Sequence, residues 1–255
     1  MARPRSSVLR ALFLLGAGLV FLGLLALGTW QVQRLGWKLA LIERVEQRAH
    51  AAPEAPPSQD RWPSITAASD EYRHLRLQGQ WLHQQQSLVQ AVTKLGPGFW
   101  VMTPLRLSGG ELDGTLVLVN RGFVTQAPPA KPNDSQVSTV TGLLRLSEPN
   151  GGFLRRNAPA AQRWFSRDVA AIAAAHHLSP MAPYFVDADA APAPLAGQSS
   201  PLAHDASLTE PVGGLTVLHF QNSHLVYALT WYALALMVLA AVWWVWRQDR
   251  RGPPA

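Results

Sequence analysis

The chain has 255 residues, no cysteine, and a net charge of +6 from 22 basic and 16 acidic side chains. Without a thiol there is no disulfide, no thiolate metal site and no cysteine nucleophile. Residues 1–10 carry three arginines and residues 247–251 carry three arginines against one aspartate, so +3 and +2 of the +6 are terminal; this charge orients a chain in a membrane and argues against a nucleic-acid surface.

After a basic segment, residues 1–10, the stretch 11–33 is apolar and has no charged side chain. It exceeds the roughly 20 residues that cross hydrocarbon as a helix, and backbone in lipid must satisfy its own hydrogen bonds, so it is read as a transmembrane helix. Trp30 and Trp37 mark its far end as an aromatic belt. A cleaved signal peptide also starts basic, and Ala26-x-Gly28 resembles a cleavage site. The run Ala11 to Gly28 nevertheless exceeds the 7–15-residue core of such signals, which favours a retained anchor.

Residues 34–223 form the expected external domain. Leu35, Leu39 and Ile42 continue the helical spacing, and the Ala-Pro-rich stretch from Ala51 to Pro63 ends it as a linker. Strands are expected over Arg73–Trp81, Ser87–Val92, Phe99–Leu107, Thr115–Val124, Val137–Leu146 and Tyr184–Val186, with Gly109-Gly110 and Asp113-Gly114 as turn signals. One helix is inserted: Ser166 reads as its N-cap, and Val169–His177 is alanine-rich. His176 and His177 read as its solvated end, and Ala190–Pro211 as a loop. A second charge-free run, 224–246, closes the sequence with Trp243, Trp244 and Trp246 at its far end, followed by a basic tail, 247–255. The fold class is therefore a membrane-anchored α+β protein, two transmembrane helices flanking a β-rich, barrel- or sandwich-like domain. The basic flanks place both termini in the cytoplasm and the domain outside.

Two constellations stand at the outer membrane boundary. His224, Tyr227, Ala228 and Trp231 share a helical face, a surface for a planar cofactor with His224 as an axial ligand to iron. The competing reading is an interfacial histidine within an aromatic belt. Trp30, Arg34, Trp37 and Leu41 share a face of the first helix, with Lys38 four residues after Arg34. Arg34 and Lys38 either pair with anionic groups or snorkel to lipid headgroups. Arg121, in Asn120-Arg121-Gly122-Phe123, either supports the strand or contacts a partner. No GxSxG, HExxH, phosphate-loop or dinucleotide fingerprint is present, so the protein is not read as an enzyme.

In order along the chain, Leu27-Gly-Thr-Trp-Gln-Val-Gln-Arg-Leu-Gly-Trp-Lys38, Tyr72-Arg73, Gly79, Val119-Asn-Arg-Gly-Phe-Val124, Trp164, Arg167-Asp168, Tyr184-Phe-Val-Asp187 and Asn222-x-His224-Leu-x-Tyr227-x-x-Thr230-Trp231 resemble the motifs of the Surfeit locus protein 1 family. Leu35-Gly36 replaces a pair that is often more basic in the family. The resemblance implies a bacterial inner-membrane assembly factor that helps mature the catalytic subunit of haem–copper (cytochrome c) oxidase. It implies haem a as a transient cofactor with His224 as the iron ligand, and haem a synthase as a further candidate partner. Tyr227 and Trp231 would then flank the macrocycle, and Arg34 and Lys38 would meet its propionates. The alternative is a haem-free scaffold stabilising an oxidase intermediate.

Overall fold

A computed structural model describes residues 7–128, 131, 133–152, 155–190, 209–216 and 222–250. Among them are three α-helices, α1 (Ser7–Ala49), α2 (Val169–Ala175) and α3 (His224–Arg250). Six strands follow the expected order: β1 (His74–Trp81), β2 (Ser87–Thr93), β3 (Gly96–Leu107), β4 (Leu116–Val124), β5 (Ser138–Leu146) and β6 (Met181–Ala188). The chain divides into a helical unit, Met1–Arg44 with His219–Ala255, and a β-rich unit, Val45–Leu218. The loop expected over Ala190–Pro211 falls mostly on 191–208, outside the described residues.

In the helical unit, Leu9–Ala49 and His224–Gln248 are long and apolar enough to cross a membrane. The first helix is a single element of 43 residues, since no proline interrupts the chain between Pro4 and Pro53. Its last turn belongs to the β-rich unit, where Val45 is buried and the Arg48 guanidinium donates to the carbonyl of Ala68 at 2.7 Å.

α1 and α3 run antiparallel along a seam with a seven-residue repeat. Buried or half-buried positions alternate in steps of four and three, at 17, 21, 24, 28, 31 and 35 on α1 and at 224, 228, 231, 235, 238 and 242 on α3. That is the spacing of a left-handed helix pair. Small residues set the approach. A Cβ at Gly28 would stand 2.7 Å from the Tyr232 ring, the Tyr232 and Thr29 hydroxyls lie 3.2 Å apart, and Ala228 and Ala235 are buried. Leu19, Leu22, Leu229 and Leu236 point outward and stay exposed, as side chains facing lipid would.

The β-rich unit resolves the barrel-or-sandwich alternative in favour of a barrel. The strands run β1-β5-β6-β4-β3, β1 pairs with β3 to close the cylinder, and β2 lies on β3 beside the closure. β4 and β6 are parallel; the other ladders are antiparallel. Alternation sorts the side chains between two cores. Leu75, Leu105, Val117, Val119, Leu144, Tyr184 and Val186 fill the interior. Met102, Leu118 and Phe185 point outward under Val89, Trp164 and α2 residues Val169 and Ile172. β3 and β4 thus read as near-continuous apolar runs because both their faces are covered.

Closure turns on Gly79, which pairs with Ser138 of β5 and with Leu107 of β3. There β1 passes from one neighbour to the other, and a Cβ would stand 2.2 Å from the Arg106 carbonyl oxygen. At α2, the N-cap is Asp168, whose carboxylate accepts from the Ala171 amide. The expected cap, Ser166, instead accepts from the Gly151 amide and the Asn157 side chain.

Gly79→Val should open the closure seam and destabilise the β-rich unit by roughly 3 kcal/mol, the upper end for overpacking. Thermal unfolding of the purified full-length protein should then come roughly 5–10 °C earlier. An unchanged midpoint would show that β1 does not need glycine at this crossing.

Candidate functional site

His224 opens α3 on the seam, half-buried, with Nδ1 2.7 Å from the Gln31 Oε1 of α1. An amide oxygen only accepts, so Nδ1 donates, and in the neutral ring the lone pair lies on Nε2. This is the form in which imidazole ligates metal, one nitrogen held by a hydrogen bond and the other free to coordinate. Next to it, the Asn222 side-chain oxygen is buried with no hydrogen-bond partner among the described residues.

The face expected to hold His224, Tyr227, Ala228 and Trp231 divides. His224 and Trp231 are half-buried and Ala228 is buried, all three at seam positions. Tyr227 lies one step off the seam and is 54% exposed. Ala228 therefore sits where the helices approach. On α1, Arg34 is exposed and its guanidinium stacks over the Trp37 ring at 4.6 Å, while Lys38 is half-buried. Arg34 and Tyr227 each precede a seam residue, Leu35 and Ala228. In antiparallel helices such positions fall on the same flank. At 1.5 Å per residue, Arg34 and Lys38 lie about 4.5 and 10.5 Å beyond Gln31 along α1.

Gln31, the hydrogen-bond partner of His224, carries no signal of that role in the sequence. It stands in a polar string with Gln33 and Arg34, which hides it. The seven-residue spacing through Gly28, Gln31 and Leu35 separates it from Gln33, which is exposed on another face. Among the described residues no three His, Cys, Asp or Glu side chains come together as a metal cluster; a metal at His224 would take one such ligand there.

The motif residues of the β-rich unit build polar knots instead. Asp187, 4% exposed, accepts from Asn120 at 2.8 Å, Thr216 at 3.0 Å, Arg167 at 3.2 Å and Arg145 at 3.3 Å. Arg167 also donates to Glu148, and Arg145 to Glu71 while its guanidinium lies over the Tyr72 ring. Three carboxylates against two guanidiniums leave this knot with no positive excess for an anionic ligand. Burial pushes the Glu148 carboxyl up, but the hydrogen bonds and charge of Arg167 outweigh it and hold it below the usual range. Asp70 behaves alike: burial raises it, and Ser69, Arg73 and the Thr66 amide bring it below.

Arg121 serves the strand. Its guanidinium lies over the Trp81 ring and 3.4 Å from His83 Nδ1. Burial first, and then the Arg121 charge, lower the pKa of His83, which suits a neutral ring accepting from Arg121. His176, expected to be solvated, is half-buried with Nε2 3.0 Å from the Ser87 hydroxyl.

Residues 18–236 match the family described as SURF1 family. The chain is 31% identical over 249 residues to Surfeit locus protein 1 of Mus musculus, covering 89% of this chain and 72% of that protein. It is 30% identical over 250 residues to the Homo sapiens protein of the same name, covering 89% and 74%. It is 32% identical over 242 residues to the SURF1-like protein of Monosiga brevicollis, covering 89% and 84%.

Glu148 and Asp70 both titrate below their ordinary values of 4.5 and 3.8. Their stabilisation is complete above those values and is lost as pH falls through the lower folded-state ones. Acid titration of the full-length protein, followed by tryptophan fluorescence, should show the β-rich unit loosening below about pH 4. Glu148→Gln should flatten part of that dependence; an unaltered acid profile would remove the Glu148–Arg167 pair from the account.

Proposed function

The chain belongs to the SURF1 family, a family of cytochrome c oxidase assembly factors, and we propose that it holds haem a and delivers it to the catalytic subunit of a haem–copper oxidase. The observation that carries this reading is the His224–Gln31 hydrogen bond, which presents an Nε2 lone pair at the end of an apolar helix pair. An ionisable ring at such a boundary is costly unless it is partnered or used.

The surrounding residues suit haem as cargo. His224 would supply one ligand to the haem iron, and a single protein ligand favours release over permanent retention. Trp231 and Tyr227 offer flat apolar surface on the seam and beside it. Arg34 and Lys38, one and two turns beyond Gln31, offer cations to the two propionates. Gln31 acts through His224, fixing which nitrogen carries the proton. The role is binding and transfer, with no catalytic step. In this reading α1 and α3 cross a bacterial inner membrane with both termini cytoplasmic and the β-rich unit periplasmic, in keeping with the arginines outside the two apolar runs. Haem a synthase is the partner that would supply the cargo.

The test is co-expression with a haem a synthesis pathway, followed by absorbance of the purified protein. Wild type should retain haem a. His224→Ala should retain less than a tenth as much, and Gln31→Leu should bind roughly 10–100-fold more weakly, the usual effect of losing a ligand's hydrogen-bond partner. Equal haem in wild type and His224→Ala would remove His224 as the ligand. Full oxidase activity in cells complemented by His224→Ala would instead support the haem-free scaffold.

A further inference from the structure

The opposite end of the helix pair carries a second site. Where α1 begins and α3 ends, Phe13, Leu14, Val242, Val245 and Trp246 wall a cleft of 340 Å3, and Arg10 and Arg250 complete its lining. That volume lies within the range of small-molecule sites. The Arg250 guanidinium lies 3.8 Å over the Trp246 ring, a cation–π contact that holds it against the apolar wall.

An apolar slot lined at one end by two guanidiniums matches a ligand with an anionic head and a hydrocarbon chain. A small soluble anion would make no use of the apolar walls, and a neutral lipid would make no use of the guanidinium donors. The location narrows the choice. The cleft lies at the end of two membrane-length apolar helices, where hydrocarbon gives way to the phosphate layer, and basic pockets between helices at that depth take acidic headgroups. The sequence at this end adds Arg3, Arg5, Arg247 and Arg251 against the single acid Asp249.

We propose that this cleft binds one anionic glycerophospholipid, its phosphodiester on Arg10 and Arg250 and an acyl chain against Phe13, Val242 and Trp246. The bound lipid bridges α1 and α3 at the end remote from the His224–Gln31 hydrogen bond. The proposal rests on reading both helices as membrane-spanning and is independent of haem.

Native mass spectrometry of the full-length protein, released from mixed phosphatidylglycerol and phosphatidylcholine nanodiscs, tests it. One phosphatidylglycerol should be retained in preference to phosphatidylcholine. The preference should fall roughly fivefold for each of Arg10→Gln and Arg250→Gln, the effect of one basic residue at an anionic surface. Val245→Trp should abolish retention by filling the cleft with both arginines in place. Arg247→Gln should leave it unchanged, since Arg247 stacks on Trp243 and does not line the cleft. Circular dichroism of each variant confirms that the helices persist. Equal retention of the two lipids, or insensitivity to the double arginine variant, would overturn the proposal. So would displacement of the lipid by millimolar inorganic phosphate, which would mark a free-anion site. An alkaline carbonate wash separates the premise from the proposal: release of the protein from membranes would sink both, and retention with no lipid preference would sink the lipid site alone.

Discussion

A buried polar group left without a partner costs about 1–3 kcal/mol, and one polar contact in each unit answers that constraint. In the helical unit an imidazole and an amide meet across the helix seam, His224 to Gln31 at 2.7 Å. In the β-rich unit a carboxylate at 4% exposure, Asp187, collects donors from β4, β5, the segment before α2 and Thr216. These contacts select one arrangement among the many that would bury similar apolar area. Sliding α3 by one turn would separate His224 from Gln31, and a register slip of β6 would turn Asp187 to the other face.

Much of the architecture was legible in the sequence because it depends on local pattern. Charge-free runs gave both long helices. Alternation gave β1, whose Leu75 and Leu77 are buried while Arg76 and Gln78 are exposed. Turn glycines separated β3 from β4. The barrel was not legible as such, because closure depends on one residue, Gly79, pairing on both sides at once. The sequence misplaces the cap of α2: it points to Ser166 as the N-cap, but in the fold Asp168 caps the helix and Ser166 accepts from Gly151 and Asn157.

The candidate site was half legible for the same reason. His224 stands out because an ionisable ring beside a membrane run needs explaining. Its partner does not stand out, because Gln31 is one of several polar residues where the apolar run of α1 ends. Helical spacing placed Tyr227 with His224, and the seam then separates them. A face read from one helix is about a third of its circumference, whereas contact with a second helix narrows it to positions three and four residues apart. Trp164, Arg167 and Asp187 are also motif residues, yet they secure the barrel wall; membership of a motif does not by itself distinguish a ligand site from a structural knot.

Gly79 has a consequence for synthesis. β1 is the first strand to emerge, but its partners are residues 105–107 of β3 and 138–143 of β5. The wall between β5 and β4 is β6, which ends at Ala188. The barrel therefore cannot be completed until about a hundred residues after β1 has been made, roughly 5–20 s at ordinary elongation rates. During that interval the nascent chain exposes unpaired strand edges. Whatever receives it must shelter those edges before the last helix, with His224, has even been translated.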